Sequence, residues 1–257
     1  MPKARTTFQY RKLLIAAWLP IAVLAGIWFY TTTVPSPFFP PLGAVFERFG
    51  AVWFGSGFVE HVLPSLQNLA IGIVIAVVLG IGVGIALALT PVVDLLLNPY
   101  LQFLRALPGI ALLPLLLMVL GTNDLSKILL IGYGTFWPVL LNTIDGIKAI
   151  SPEVRQTARS YRFTRWNVLT RVLLPGAFPQ ISIGIRLSLS IGFVLMVGSE
   201  LYGASRGIGF FVLESKQTFH TADMWAGVIL LGVIGYLISI GYSRLENRLL
   251  RWRDVAV

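Results

Sequence analysis

The chain has 257 residues, 56% hydrophobic and only 12% charged, with a net charge of +9 and no cysteine. A soluble domain carries roughly 25% charged residues. A globule covered by water is therefore set aside in favour of a multi-spanning membrane protein. The missing cysteine removes disulfides and thiolate metal sites. The basic residues sit between apolar stretches, where the positive-inside rule expects them, so the positive charge does not indicate nucleic acid.

Lys3, Arg5, Arg11 and Lys12 precede an apolar stretch at 13–30. No small-x-small cleavage site follows it; Thr31-Thr32-Thr33-Val34-Pro35 comes instead, so the stretch reads as a retained first span and not a signal peptide. After Pro40-Pro41, the residues Leu42, Val45, Phe46, Phe49, Val52 and Trp53 recur at helical spacing, with Glu47 and Arg48 on another face. They predict an amphipathic helix on the outer membrane interface. Further apolar stretches lie at 69–89, 104–120, 128–144, 181–201 and 224–242. Each is long enough for about 30 Å of hydrocarbon. In 69–89, Ala76, Gly80, Gly84 and Ala88 repeat every four residues. That small face suits close helix packing, within the bundle in preference to a subunit contact. Pro108 and Pro114 in the third span and Pro138 in the fourth predict kinks whose freed carbonyls are satisfied by neighbours. No internal sequence repeat is visible.

Between the fourth and fifth spans lies a charged segment, 148–179. Ser151-Pro152-Glu153 opens a helix, with Ser as N-cap, Pro in the first turn and a carboxylate near the positive end of the dipole. This helix runs to about Tyr161. A second covers 165–173 with Trp166, Leu169, Val172 and Leu173 as its apolar face, and Pro175-Gly176 stops it. Two short helices joined by a bend form a knob that a partner can grip. The N-terminal tail, this segment (Lys148, Arg155, Arg159, Arg162, Arg165, Arg171) and the C-terminal tail (Arg244, Arg248, Arg251, Arg253) carry fourteen basic residues. Arg48, Lys127, Arg206 and Lys216 face them from the other side. With six spans, this bias places both termini and the charged segment in the cytoplasm.

Catalytic chemistry is not visible. There is no Walker A loop and no HExxH, and His61 and His220 fall in separate predicted outer loops. Asp145 and Glu200 are the acidic residues nearest the span ends, and no paired acids or nucleophile stand inside the spans. The chain therefore reads as no enzyme, without metal or cofactor, whose work is conformational and powered from elsewhere. Polar residues in or near spans are costly and often functional. Asn68, Arg105, Asn142, Arg186 and Glu200 are the candidates for a translocation path. Arg105 and Arg186 fall near cytoplasmic span ends, where snorkelling competes with solute contact. Glu200, near the outer end of the fifth span, suits a gate, helix pairing or interfacial solvation. Asn68 and Asn142 are equally interhelical glue.

The charged segment resembles the cytoplasmic motif of ABC importer permeases: Glu-Ala-Ala, three residues, Gly, nine residues, Ile, one residue, Leu-Pro. Here the small pair is Thr157 and Ala158, and the closing residues are Val172, Leu174 and Pro175. Gln156 replaces the Glu, with Glu153 one turn earlier, and Arg162 replaces the Gly. If the bend needs φ > 0, Arg162 costs free energy there. Either the bend differs, or Arg162 meets a partner that accommodates it. Arg105-Ala106-Leu107-Pro108-Gly109 through Gly121 and Gly184-Ile185-Arg186-Leu187-Ser188-Leu189 through Ser199-Glu200 are similar to permeases that import aliphatic sulfonates, taurine, nitrate and related solutes. So is the ending Leu245-Glu246-Asn247-Arg248 through Arg251-Trp252-Arg253.

That resemblance implies an all-α polytopic membrane protein of about six transmembrane helices, with the type I ABC importer permease fold, as a single domain over 1–257 in a bacterial inner membrane. It implies a translocation path for a sulfonate, taurine, nitrate or similar small anion. It also implies ATPase coupling through Glu153, Gln156, Thr157, Ala158, Arg162, Arg165, Trp166, Leu174 and Pro175. The implied partners are a cytoplasmic ATPase dimer that binds ATP and Mg, a second permease subunit, a periplasmic or lipid-anchored solute-binding protein and the bilayer, with no nucleic acid. A permease for a pyrimidine vitamin precursor or an aromatic acid fits the same features. A channel or scaffold working without an ATPase leaves the motif spacing unexplained.

Overall fold

The computed structural model describes residues 18, 22–23, 25–33 and 36–251. Lys3, Arg5, Arg11, Lys12, much of the predicted span at 13–30, Trp252 and Arg253 lie outside the described residues. No strand occurs among the described residues. Residues 25–33 are helical (α1). After it come α2 (Leu42–Trp53), a π-helical turn (Phe58–Val62), α3 (Leu63–Leu89) and α4 (Pro91–Ala106). A 3₁₀ turn (Gly109–Leu112), α5 (Leu113–Leu120) and α6 (Asp124–Lys148) come next. The charged segment holds α7 (Pro152–Ser160), α8 (Arg165–Val168) and a second π turn (Leu169–Leu173). The chain closes with α9 (Leu174–Glu200), α10 (Ile208–Gln217) and α11 (Thr221–Leu249).

Four stretches among the described residues are long and apolar enough to cross a membrane: Phe58–Leu89, Asp124–Lys148, Arg165–Glu200 and Thr221–Leu249. A fifth span arises if α4 and the Gly109–Leu120 segment are taken as one broken unit. α6 is the central helix, packed between α3 and α9. Leu130, Ile131, Val139 and Leu140 on it are fully buried. Small residues permit this closeness. A Cβ on Gly80 would fall 2.9 Å from Val139, and one on Gly84 would fall 2.7 Å from Thr143. From the α9 side, a Cβ on Gly184 would lie 2.7 Å from the Pro138 carbonyl oxygen. The small-residue face of α3 therefore packs inside the subunit, as its spacing predicted.

Two sequence expectations fail here, both at prolines. The kink predicted at Pro108 is present, but the stretch 104–120 is not one span: α4 begins at Pro91, and it meets the segment after it at 82°. Pro108 has no N–H, and a residue before proline is pushed out of the helical region. Leu107 accordingly takes φ −71, ψ 121, and Pro108 itself takes φ −61, ψ 118. Nor do Pro175-Gly176 stop the second loop helix, which runs unbroken from Arg165 to Glu200. The π turn at Leu169–Leu173 widens the helix just before Pro175, which then sits in the first turn of α9. An α-helical proline ring strikes the carbonyl four residues back, and the extra residue of a π turn relieves that contact. The same device precedes Pro64: the turn Phe58–Val62 leads into Leu63-Pro64 and a helix of 27 residues, the length α9 also has.

α2 forms as its periodicity predicted, but its apolar face is docked on α11. Val45 and Trp53 are buried, the Trp53 indole N–H donates to the Ala226 carbonyl at 3.2 Å, and Arg48 pairs with Asp223. Below, the end of the bundle that carries α7 and α8 is the loop end. The end that carries α2 and α10 is the far end.

Candidate functional site

At the loop end, α7 begins at Pro152. The Glu153 carboxyl is held below its usual range by its own backbone N–H and by the Ser151 hydroxyl. The helix ends in a bend where the Phe163 N–H donates to the Ala158 carbonyl at 3.1 Å and Arg162 adopts φ +54. This is a Schellman-type closure with the left-handed residue just past the helix. The bend thus keeps the positive φ that glycine suits, and Arg162 occupies it at a cost of about 1 kcal/mol. Thr164 then caps α8, its hydroxyl accepting the Asn167 N–H at 3.3 Å.

Ala158 is buried beneath the bend, while Gln156, Thr157, Arg165 and Pro175 are exposed and Leu174 is half-buried. Trp166 and Leu173 were placed on one apolar face of the second loop helix. Leu173 is buried, but Trp166 is 70% exposed. With exposed Val154, Tyr161 and Phe163 it gives the knob an apolar surface. Outside the motif, one contact ties the knob to α6 and another ties the end of α6 to α4. Arg155 Nη2 donates to the Ile147 carbonyl at 2.5 Å, and Lys148 Nζ meets Asp94 Oδ2 at 2.5 Å.

The five path candidates separate into three places. Arg105 and Asn142 line one open hollow of about 670 Å³, together with Gln102, Trp137 and Leu195. Arg105 does not sit at a cytoplasmic span end, as expected. The Tyr133 hydroxyl donates to the Leu104 carbonyl at 2.5 Å, which sets the end of α4 beside the middle of α6. The Arg105 side chain is exposed, with no ion-pair partner among the described residues. Asn142 both faces the hollow and ties helices, donating to the Pro138 carbonyl at 2.8 Å and accepting from Gln180 at 2.9 Å. Trp137 has an indole N–H without a partner among the described residues.

Arg186 reaches the last turn of α11. It stands near the midpoint of α9 and pairs with Glu246 of α11, a residue 7% exposed. Ser182 donates to the same carboxylate at 2.9 Å, and Tyr242 lies 2.9 Å from Ser182.

Asn68 and Glu200 belong to the far end. Glu200 is 1% exposed, which removes interfacial solvation as its role. It accepts from Ser65 Oγ at 2.6 Å and from the Gly209 N–H at 2.8 Å. The Ile208 N–H donates to Ser65 at 3.0 Å, so the carboxylate and hydroxyl together close the start of α10. His61 is not a solvated loop residue: it is half-buried in the first π turn, and its Nδ1 accepts the Gly207 N–H at 3.3 Å. Asn68 donates to Asp124 at 3.2 Å, and Lys127 and Arg206 pair with the same carboxylate. These contacts join α3, α6, α9 and α10, and they make Asn68 and Glu200 helix-pairing residues.

Gln102, Asp94 and Arg155 escaped the sequence reading. Asp94, Asn98, Gln102 and Arg105 form a helical series, but a span placed at 104–120 leaves most of that series in a loop.

The family described as binding-protein-dependent transport system inner membrane component matches residues 76–251. The chain is 33% identical to a putative aliphatic sulfonates transport permease protein of Bacillus subtilis (strain 168), over 94% of this chain and 85% of the relative. It is 35% identical to the taurine transport system permease protein of Escherichia coli (strain K12), over 90% and 87% respectively. It is 31% identical to a bicarbonate transport system permease protein of Synechococcus elongatus, over 76% and 70%. Among solved structures, an inward-facing methionine ABC transporter chain superposes with a TM-score of 0.62 at 20% identity, covering 74% of this chain and 94% of that one. This last likeness bears on the fold.

Proposed function

The chain belongs to the family of binding-protein-dependent transport system inner membrane components, and from that premise we propose that it conducts a small oxyanion through the hollow beside Arg105. It is a multi-pass permease subunit of an ABC importer and not an enzyme. The solute is a sulfonate, taurine, nitrate, bicarbonate or a close analogue. The observation that carries this choice is the Arg105 guanidinium, without an ion-pair partner among the described residues, on a hollow otherwise lined by neutral side chains. A guanidinium presents a fork of donors that matches planar and tetrahedral oxyanions.

The loop end faces the cytoplasm, with both termini on that side. An ATPase dimer that holds ATP and Mg grips the α7–α8 knob through Val154, Tyr161, Phe163 and Trp166. Exposed aromatic groups on an otherwise polar protrusion suit such an interface. Two permease subunits flank the path, and a solute-binding protein delivers at the far end. Closure of the ATPase dimer moves the knob, and the rigid α6–α9 pair carries the movement into the spans.

The chain has no cysteine, so single introduced thiols report cleanly. Gln156→Cys and Trp166→Cys should crosslink to the cognate ATPase, and Phe49→Cys at the far end should not. An ATPase that still copurifies and shows solute-stimulated hydrolysis after deletion of 148–179 refutes the coupling role. Uptake of labelled taurine, nitrate and bicarbonate by cells expressing the system tests the solute class.

A further inference from the structure

We infer that one edge of α4, carrying Asn98, Gln102 and Arg105, lines a polar exit channel that leads the solute from the hollow to the loop end. The inference rests on the oxyanion reading above for the identity of the solute, though not for the existence of the channel.

α4 is exposed along its length, with no residue buried. At 3.6 residues per turn, Asp94, Asn98, Gln102 and Arg105 fall within an arc of about 80°. Leu101 marks a second arc, packed against the cluster of Leu87, Leu140 and Ile144. Leu95, Leu96 and Phe103 occupy the third arc and are all exposed. Lipid suits that third arc. It does not suit the polar arc, because amide and guanidinium groups facing hydrocarbon cost several kcal/mol in total. The polar arc therefore faces a water-filled space.

The space it faces is bounded by α6. Asn142 lines the hollow with Gln102 and Arg105. Asp145 and Lys148 follow Asn142 at intervals of three residues, on the same side of α6, and both are exposed. The two polar series converge at the loop end, where Lys148 meets Asp94. Gln102 donates to Asn98 at 3.1 Å, so the amides of the stripe are already linked into a ladder.

The order of charges suits an anion. Arg105 attracts it into the hollow. Neutral amides then offer successive hydrogen bonds that hold weakly enough to release, as conduction requires. On α4 the Asp94 carboxylate has its charge offset by Lys148, and Asp145 on the α6 side is the one carboxylate of the two series without an ion-pair partner among the described residues.

The test uses everted membrane vesicles from cells that express the chain with the other subunits of its transport system. Asn98→Cys and Gln102→Cys should react with an anionic methanethiosulfonate at least about tenfold faster than Leu95→Cys and Phe103→Cys, because the reagent needs a hydrated thiolate. Arg251→Cys, exposed just past α11 and outside the knob, is the aqueous control. If it reacts while Asn98→Cys and Gln102→Cys stay as slow as the apolar pair, the channel is refuted. Uptake of an oxyanion by Gln102→Leu that equals the unsubstituted rate also refutes it. Fast labelling at Asn98→Cys and Gln102→Cys, with no uptake of taurine, nitrate or bicarbonate by whole cells that express the unsubstituted system, overturns the oxyanion reading and supports the channel.

Discussion

Arg155 Nη2 donates to the main-chain carbonyl of Ile147 at 2.5 Å, so α7 is bonded directly to the last turn of α6. Both residues lie outside the positions at which the loop resembles its family. A charge-assisted hydrogen bond of this kind contributes about 1.5–3 kcal/mol. Arg155→Met keeps the apolar stem and removes the donor. Solute uptake is expected to fall about tenfold, the equivalent of 1.4 kcal/mol, while the ATPase still copurifies. Undiminished uptake would show that force reaches α6 by another route.

Arg162 sits at φ +54, where an L side chain is strained. Arg162→Gly removes the strain, and the permease should gain about 1 kcal/mol of stability. Thermal unfolding in detergent measures this as a rise in the midpoint. The same variant reports on the side chain. If the ATPase engages the guanidinium, uptake drops although the permease is more stable. If uptake holds, the arginine is tolerated without being used.

Glu200 and Gly207 are matched in space. A Cβ on Gly207 would lie 2.5 Å from the Glu200 carboxyl carbon, and Gly207 has φ +123. Gly207→Ala should therefore displace the carboxylate and lower the folded yield sharply. Glu200→Ala leaves the Gly209 N–H and Ser65 without their shared acceptor, a loss of about 2–4 kcal/mol. Glu200→Gln retains an oxygen for Gly209 and should cost less than half as much. Size-exclusion profiles and melting midpoints of the three variants check the ranking. Equal stability of Glu200→Gln and Glu200→Ala would mean that charge, and not hydrogen bonding, is what this site needs.

The loop was legible because its chemistry is local. Pro152 marks a helix start and the small pair Thr157-Ala158 precedes the bend with no help from distant contacts, whereas the helix runs on through Pro175-Gly176. Trp166 and Leu173, placed on one apolar face by their spacing, differ in burial because the π turn Leu169–Leu173 follows Trp166. One added residue rotates the phase of a helix by about 100°, so two positions in register by 3.6 spacing face different ways. The kink at Pro108 was legible, but the extent of the broken span was not: 104–120 is apolar apart from Arg105, whereas Asp94, Asn98 and Gln102 lower the hydropathy of the α4 half. Glu200 could be located on its helix but not paired, since Ser65 is 135 residues away.

Gly80 and Gly82 offer a matched pair in one helix. A Cβ on Gly80 would press to 2.9 Å from Val139, whereas nothing lies within 4 Å of one on Gly82. Gly80→Ala should destabilise by about 1–3 kcal/mol through overpacking of α3 on α6. Gly82→Ala should be neutral or stabilise by up to about 1 kcal/mol, as alanine is the better helix former. Equal effects in a thermal-shift assay would contradict the tight α3–α6 seam.

Arg186 and Glu246 form an ion pair between α9 and α11, which bears on whether Arg186 touches the solute. Removing one partner of a buried pair costs about 3–5 kcal/mol, while replacing both by apolar residues is often close to neutral. The figure is lower here, because the Arg186 side chain is 54% exposed and Glu246 8%. Glu246→Met alone should leave an uncompensated cation near the midpoint of α9 and reduce the folded yield. Arg186→Met with Glu246→Met should restore it. A purely structural pair then gives a double variant that takes up solute at the unsubstituted rate, because the seam is repacked and nothing in the hollow has changed. A double variant that is stable but transports poorly would place Arg186 on the path after all, through the crevice of about 180 Å³ that it lines with Ser190 and Tyr242.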